Sequence, residues 1–253
     1  LTGIPLTIIM PILLIIALIY TYISGLEASI VTDFVQMAMI FVIGIIILPL
    51  TWSAAGGASA ISAGLGGLAG IRNIFDPGIA FSLGIVTSIG LISGAISDQQ
   101  YWQRAFAIKK KQLVKAFIFG ALLFGIVPIA LSTLGFLGAN PTLGVILPAS
   151  VDVSMIGVQV VATLLPAWAV FLFVIMLLSG LSSTLDSGLS AASSLWVTDV
   201  SKAKTDNEAI KSARWSMVGI MGLGLAVALL TTLYGVMFAQ LIFKPAAEKL
   251  QQT

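Results

Sequence analysis

A column of oxygen-bearing side chains runs along one apolar stretch in the second half of the chain. Its serines recur every three or four residues, the spacing that places side chains on one face of a helix: Ser179, Ser183, Ser187, Ser190 and Ser194. Thr184 and Asp186 flank this column. Hydroxyl and carboxylate oxygens are the ligands that a hard cation prefers. The pattern therefore predicts cation binding, with Asp186 on an ion pathway.

The serines taken alone favour a simpler interpretation, close packing between helices. Small residues let membrane helices approach each other, and their hydroxyls bond across the contact or back to their own backbone. Asp186 argues against packing as the whole explanation. A carboxylate at the centre of a membrane helix costs about 3 kcal/mol, so such acids usually face a cavity or a partner and mark ion pathways.

A second acid lies within an apolar stretch near the N-terminus. Asp33 and Gln36 are three residues apart, so they share a helix face. Glu27 suits the start of that helix, where the helix dipole favours negative charge. Asp33 suits it poorly, because a rise of about 1.5 Å per residue carries it several ångströms into a bilayer. Asp33 is therefore a second candidate functional residue.

A third candidate site is a helix that contains Gly90, Ser93 and Gly94. Glycines allow a membrane helix to unwind, and discontinuous helices form substrate sites in many transporters. On spacing alone, close packing by small residues explains these positions better. Arg104, which follows this stretch, is expected to anchor the chain at the level of the lipid headgroups.

The elements that position these residues must be membrane helices. Of 253 residues, 58% are apolar and 9% are charged, with a mean hydropathy of +1.11. A soluble domain has about 25% charged residues, and a disordered chain has low hydrophobicity, so both classes are excluded. The absence of Cys and His excludes disulfides, Ser–His triads and the usual zinc sites. A net charge of +2 does not suggest a nucleic-acid partner.

Hydropathy predicts an all-α polytopic membrane protein, a single transmembrane domain over residues 1–253 with about six spans. The predicted spans are 4–23, 27–50, 76–100, 112–137, 163–199 and 212–243. Most of the 12 Lys and Arg residues fall in the connections after the third and fifth spans. Basic residues concentrate in cytoplasmic loops, so we expect both connections to face the cytoplasm in a multi-pass protein of the cytoplasmic membrane.

Three motifs in these spans resemble those of the sodium:solute symporter family. Gly25–Gln36 contains Gly-Leu-Glu-Ala followed by Thr-Asp-Phe-Val-Gln, and is similar to the family's GGLxAxxxTDxxQ helix. Asp98–Ala105 is similar to its cytoplasmic QR signature, and Ser183–Asp199 is similar to its STxxS…TxD helix. The three motifs occur in the family's order and together span most of the chain.

This resemblance implies a transporter, not an enzyme, with a leucine-transporter-like fold of two inverted five-helix repeats. The six spans would be core helices four to nine. Core helices one to three and ten would then be missing partners, supplied by a longer protein of which this chain is a piece. Because the first core helix completes the main sodium site in this family, the chain alone would hold half of that site.

The resemblance also implies Na⁺ as the coupling ion and assigns roles to individual residues. Ser183 and Thr184 would contribute oxygens to the main sodium site. Ser187 and Asp33 match positions linked to a second sodium ion or to sodium release. Of these four residues, Asp33 could act electrostatically, without direct contact to the ion.

The solute is less constrained than the ion. Gly94 and Phe124 stand where sugar carriers have an aromatic gate and a lysine, so sugar transport is not expected. The run Asp98–Gln103 is most similar to urea and polyamine carriers, which predicts a small polar, urea-like solute. Its pocket would include Gly90, Ser93, Gly94 and Phe124.

Three other classes of function stay open at this stage. Some family members are fused to histidine kinases, so the helices could form a solute-sensing membrane module. An intramembrane aspartyl protease would use two acids such as Asp33 and Asp186, although its Gly-x-Gly-Asp motif is missing. A structural scaffold is the third alternative.

Overall fold

The structure, a computed structural model, describes residues 6–73, 75–147 and 152–238. All regular secondary structure in these ranges is helical, with no strand, which confirms the all-α prediction. The α-helices are α1 (Leu6–Ala55), α2 (Ala58–Ala63), α3 (Pro77–Ile79), α4 (Thr87–Ser97), α5 (Gln99–Ala107), α6 (Leu113–Ala139), α7 (Ile156–Leu164), α8 (Ala167–Leu195) and α9 (Asp206–Phe238). Two π-helical segments, Ala80–Val86 and Trp196–Ser201, continue α3 and α8.

Four stretches in the described residues are long and apolar enough to cross a membrane. They are Gly25–Ala55, Pro77–Ser97, Leu113–Ala139 and Ala167–Ser201, with mean hydropathies of 2.0 to 2.4. They correspond to the second, third, fourth and fifth predicted spans. The first predicted span contains the shorter apolar helix Pro11–Ile23. The sixth, 212–243, coincides with α9 up to Phe238, and its last residues lie outside the described part of the chain.

A single residue interrupts α1 at the turn predicted between the first two spans. Gly25 has φ 56° and ψ −131°, far from helical values, so the long helix is broken there. Glycine tolerates positive φ because it lacks a Cβ. The short connection between the predicted spans 4–23 and 27–50 is thus a one-residue break in α1.

The third predicted span contains no unwound segment in the described residues. Its glycines are accommodated in a helix that changes type, from the π-helical segment around Gly84 to regular α-helix through Gly90 and Gly94. The helix ends at Asp98, whose extended backbone and side chain begin α5: the Asp98 carboxylate accepts from the Gln100 N–H at 2.9 Å.

The chain falls into two compact units. The described residues of the first, here called the core unit, lie within 30–184, and those of the second, the terminal unit, lie within 6–29 and 185–238. The core unit has an apolar interior. Its fully buried side chains include Ile47, Leu137, Val160 and Ala169. The prediction of a single domain over residues 1–253 stays a prediction.

Two helices of the core unit approach each other closely at Gly138. A Cβ atom added there would lie 2.2 Å from Ile156 Cγ1, well inside van der Waals contact. Gly138 therefore permits the packing of α6 on α7. Nearby, the buried Asn140 donates to the Ala60 carbonyl at 3.0 Å, which ties the end of α6 to α2.

The terminal unit has a more polar interior. Its buried side chains include apolar ones such as Leu13, Ala17 and Met217. Hydroxyl and carboxyl groups are buried among them: Thr21, Ser29, Asp186, Ser187, Ser190, Ser193 and Ser216. A buried polar group is costly unless it is hydrogen-bonded. Thr21, Ser193 and Ser216 donate to carbonyls of their own helices, whereas Ser29 and Ser187 donate to Asp186.

Candidate functional site

In the core unit, Asp33 is held by two side chains from distant parts of the sequence. Its Oδ1 accepts a hydrogen bond from Ser183 Oγ at 2.5 Å, and its Oδ2 forms an ion pair with Arg104. The Asp33 side chain is 23% exposed and that of Arg104 is 26% exposed. The structure thus brings together two predicted sodium ligands, Asp33 and Ser183, which are 150 residues apart.

Three helices position this group. Asp33 lies on α1 about two turns after Gly25, and Ser183 lies on α8. Arg104 lies on α5, where its Nη1 also donates to the Gln100 carbonyl at 3.1 Å. This second bond orients the guanidinium, so the ion pair does not depend on a freely rotating side chain.

The sequence did not predict the partner of Arg104, whose guanidinium pairs with Asp33. The physical reason for the pairing is that an acid within an apolar stretch is stabilised by a partner of opposite charge. The signal in the sequence was Arg104 itself, the first basic residue after the third span. The expectation that Arg104 anchors the chain at the level of the lipid headgroups stays a prediction.

Thr184, the other residue expected at the main sodium site, has a different environment. It is exposed, and its Oγ1 donates to the Gly180 carbonyl at 3.2 Å on its own helix. Such a bond to the residue four positions earlier is the common default for Ser and Thr in helices. The geometry therefore joins Ser183, but not Thr184, to Asp33.

In the terminal unit, Asp186 is the centre of a second group, the Asp186 cluster (Tyr20, Ser29, Asp186 and Ser187). The carboxylate is fully buried. Its Oδ2 accepts from the Tyr20 hydroxyl at 2.7 Å, and its Oδ1 accepts from Ser187 Oγ at 3.1 Å and Ser29 Oγ at 3.3 Å. Ser29 Oγ and Ser187 Oγ are themselves 3.5 Å apart.

The Asp186 cluster binds both sides of the break in α1, because Tyr20 precedes Gly25 and Ser29 follows it. Sequence reasoning missed both partners. For Ser29 a signal was present, since it lies four residues before Asp33 and thus on the same helix face. For Tyr20 there was none, because a tyrosine in an apolar span is indistinguishable from a packing residue.

A second arginine supports the same break. Arg214, on α9, donates from Nε to the Tyr22 carbonyl at 3.0 Å and from Nη2 to the Ile23 carbonyl at 3.3 Å. Its guanidinium also lies 5.2 Å from the centroid of the Tyr22 ring. Carbonyls at the end of a helix lose their intrahelical partners, and Arg214 supplies replacements just before Gly25.

The burial of α8 differs in part from the predicted column. Its buried polar face contains Ser179, Asp186, Ser187, Ser190 and Ser193. Asp186 was expected at the edge of the column, and it is among its most buried members.

The residues predicted to line a solute pocket lie on exposed faces. Gly90, Ser93 and Gly94 are exposed on α4, where Ser93 Oγ donates to the Gly90 carbonyl at 3.0 Å. Phe124, on α6, is 67% exposed. The solute pocket therefore stays a prediction.

The core unit has an apolar cavity of about 210 Å³ whose lining includes Ile40, Phe41, Gly44, Trp52 and Met176. Its walls offer almost no polar groups. Within the described ranges, no group of three or more Asp and Glu residues is placed to hold a metal ion.

Comparison with known proteins assigns the chain to a family. The model of the sodium:solute symporter family matches residues 1–248. Comparisons with curated proteins and with solved structures find no match. The matching family consists of membrane transporters that couple solute movement to sodium, and not of enzymes. Since its model covers nearly the whole sequence, the chain belongs to the sodium:solute symporter family.

Proposed function

We propose that this protein carries out sodium-coupled symport of a small polar solute across the cytoplasmic membrane. The observation that carries the proposal is the contact between Ser183 and Asp33, 150 residues apart, in the core unit. A hydroxyl and a carboxylate in contact form a pair of oxygen ligands, as a hard cation requires. Membership of the family supplies the coupling ion.

Sodium binding would reorganise this contact in a defined way. In the structure, Ser183 uses its proton to bind Asp33 Oδ1. A sodium ion would instead take lone pairs from Ser183 Oγ and the carboxylate, with the Ser183 proton turned away. Thr184 would join as a further ligand once its hydroxyl leaves the Gly180 carbonyl.

Arg104 would act as the competitor of sodium. One carboxylate carries one negative charge, and Arg104 already balances it. A cation that binds Asp33 would weaken this ion pair, and the guanidinium would restore it when the ion leaves. Asp33 would thus exchange one positive partner for another, which provides a way to connect ion binding to the position of α5.

The terminal unit would contribute an ion pathway. Ser187 and Asp186 are adjacent on α8 and share a hydrogen bond of 3.1 Å. As a buried carboxylate in an apolar helix, Asp186 is the type of group that marks ion routes. We propose that Ser187 and Asp186 offer a second set of oxygens to sodium.

For the solute we propose a urea-like molecule. The support is the similarity of Asp98–Gln103 to the corresponding run of urea and polyamine carriers. Gly90, Ser93, Gly94 and Phe124 would contribute to its pocket. Solute and ion would together shift the protein between outward-open and inward-open states through their different affinities for the two. Each sodium charge that enters down a membrane potential of 100 mV, negative inside, supplies about 2.3 kcal/mol.

The test is uptake of radiolabelled urea, with a panel of amino acids, by the complete gene product in liposomes, with and without external sodium. We expect sodium-dependent uptake whose half-saturating sodium concentration rises at least tenfold when Ser183 and Thr184 are both replaced by alanine. Ser132→Ala is the control, because that hydroxyl is exposed and donates to the Ile129 carbonyl of its own helix. Sodium-independent uptake, or an unchanged sodium requirement in the double variant, contradicts the proposal.

Arg104→Gln provides an independent arm. If guanidinium and sodium compete for Asp33, removal of the guanidinium lowers the half-saturating sodium concentration. If Arg104 instead helps to hold sodium in place, the same variant raises it, and the competition is refuted while the transport function stands.

A further inference from the structure

The turn between α8 and α9 forms a basic depression in the terminal unit. It has a volume of about 530 Å³, and its lining includes Lys202, Lys204, Glu208, Lys211, Ser212 and Trp215. The three lysines and the tryptophan are exposed, the tryptophan by 66%. The depression therefore gathers three ammonium groups and one aromatic ring around an open space.

The charges of the three lysines are not neutralised by an ion pair within the described residues. Glu208, the acid of the depression, is occupied by the start of α9: its Oε2 accepts from the Lys204 N–H at 3.1 Å, and its own N–H donates to Thr205 Oγ1 at 3.3 Å. This arrangement is a variant of the capping box, which satisfies the free N–H groups at a helix start. The positive charge is consequently available to an external anion.

The backbone of the turn has an unusual conformation at one residue, Lys202. Lys202 has φ 48° and ψ 44°, a left-handed conformation that residues other than glycine rarely adopt. It ends the π-helical segment Trp196–Ser201 and reverses the chain toward α9. Strained backbone of this kind occurs preferentially where a binding site needs it.

The position of the depression next to a candidate membrane span indicates the kind of anion. The candidate span Ala167–Ser201 ends where the depression begins, so Lys202 and Lys204 follow directly after the apolar segment. An exposed tryptophan such as Trp215 is typical of the membrane–water interface. A group of lysines at that level faces the phosphates of the lipid headgroups.

We propose that this depression binds the phosphate of an anionic phospholipid headgroup. Lysine binds phosphate as a point charge, and three lysines line this depression. A soluble phosphate offers the same chemistry, but the adjoining apolar span and the exposed Trp215 place acyl chains beside the site. The proposal concerns this turn alone and does not depend on the transport function or on the aspartate groups.

The experiment measures lipid binding by native mass spectrometry of the complete protein released from neutral detergent. The protein is titrated with short-chain phosphatidylglycerol, with phosphatidylcholine of the same chain length, and with inorganic phosphate as competitor. The test variant replaces Lys202, Lys204 and Lys211 with alanine. The matched control replaces three lysines of the α5–α6 connection, Lys109–Lys111, which carry the same charge.

We expect the first phosphatidylglycerol to bind more tightly than phosphatidylcholine. Each interfacial lysine contributes about fivefold in affinity. The test variant should therefore raise the dissociation constant for phosphatidylglycerol by about a hundredfold. The control variant should bind as the wild type does. Replacement of the same three lysines by arginine keeps the charge and should keep the preference, which separates lost binding from lost folding.

Three results overturn the proposal. Equal binding of the two lipids by the wild type shows that the headgroup charge is not recognised, and this result needs no variant. An equal loss in test and control variants shows that net charge alone acts. Displacement of phosphatidylglycerol by millimolar inorganic phosphate assigns the depression to a soluble anion.

Discussion

Replacement of Tyr20 by phenylalanine removes the hydroxyl that donates to the buried Asp186 carboxylate and changes almost nothing else. The bond is short, 2.7 Å, and its acceptor is fully buried. A hydrogen bond to a charged group contributes about 1.5–3 kcal/mol to stability. For a chain of this size, each kcal/mol corresponds to about 2–4 °C in Tm. We therefore expect Tyr20→Phe to lower Tm by about 3–12 °C.

Two further variants provide a smaller expected loss of stability and a control, against which Tyr20→Phe is compared. Ser29→Ala removes a longer bond, 3.3 Å, to the same carboxylate, and we expect a smaller loss of about 0.5–1.5 kcal/mol. Tyr22→Phe is the matched control, because Tyr22 is exposed and keeps its ring contact with Arg214. Its change in stability should stay within about 0.5 kcal/mol.

The assay is thermal unfolding of each variant in one detergent, at one protein and lipid concentration. The order of destabilisation should be Tyr20→Phe, then Ser29→Ala, then Tyr22→Phe. In an Asp186→Asn background, the cost of Tyr20→Phe should fall, since the charged acceptor is gone; the coupling between contacting groups is about 0.5–3 kcal/mol. Equal effects of the two tyrosine substitutions, or a full effect of Tyr20→Phe without the carboxylate, refute the reasoning.

The remaining predictions concern the packing of α6 and the break in α1. Gly138→Ala should destabilise the protein by about 1–3 kcal/mol, because the new methyl group would overlap Ile156. Gly135→Ala, on the same helix, meets open space and should change the stability by no more than about 0.5 kcal/mol. Denaturant unfolding of the two variants measures the difference. Arg214→Gln removes the charged donors to two carbonyls just before Gly25. Amide hydrogen exchange around the break should therefore accelerate by about tenfold. Unchanged exchange would contradict the role of the arginine.

The long helices were predictable because their signal is physical and local. A membrane span requires about 20 apolar residues, and four predicted spans coincide with helices that meet this requirement. The short helix α5 was not foreseen because nine residues do not form a span. Its beginning was nevertheless encoded, since Asp98 is a good N-cap residue and its carboxylate accepts from the Gln100 N–H.

The orientation of α8 was only partly predictable. Helical spacing placed the serines on one side and identified Asp186 as unusual, but two adjacent columns of the helix carry polar residues. Ser183 and Thr184 are neighbours in sequence, yet one hydroxyl reaches Asp33 and the other bonds to its own helix. Which column faces another helix depends on the packing partner, and periodicity within one helix contains no information about that partner.

The ion pair of Asp33 with Arg104 could have been predicted from the charges in the sequence. An acid two turns inside an apolar span needs a positive partner, and Arg104 directly follows the next candidate span along the chain. Charge balance then constrains any mechanism built on this carboxylate. With Arg104 bound, Asp33 is neutralised, and a sodium ion added to the intact pair would leave an excess positive charge in an apolar surrounding. Under the proposed function, sodium and the guanidinium would therefore be alternatives at Asp33, and Ser183, whose hydroxyl donates to the carboxylate, would turn its proton away when the ion binds.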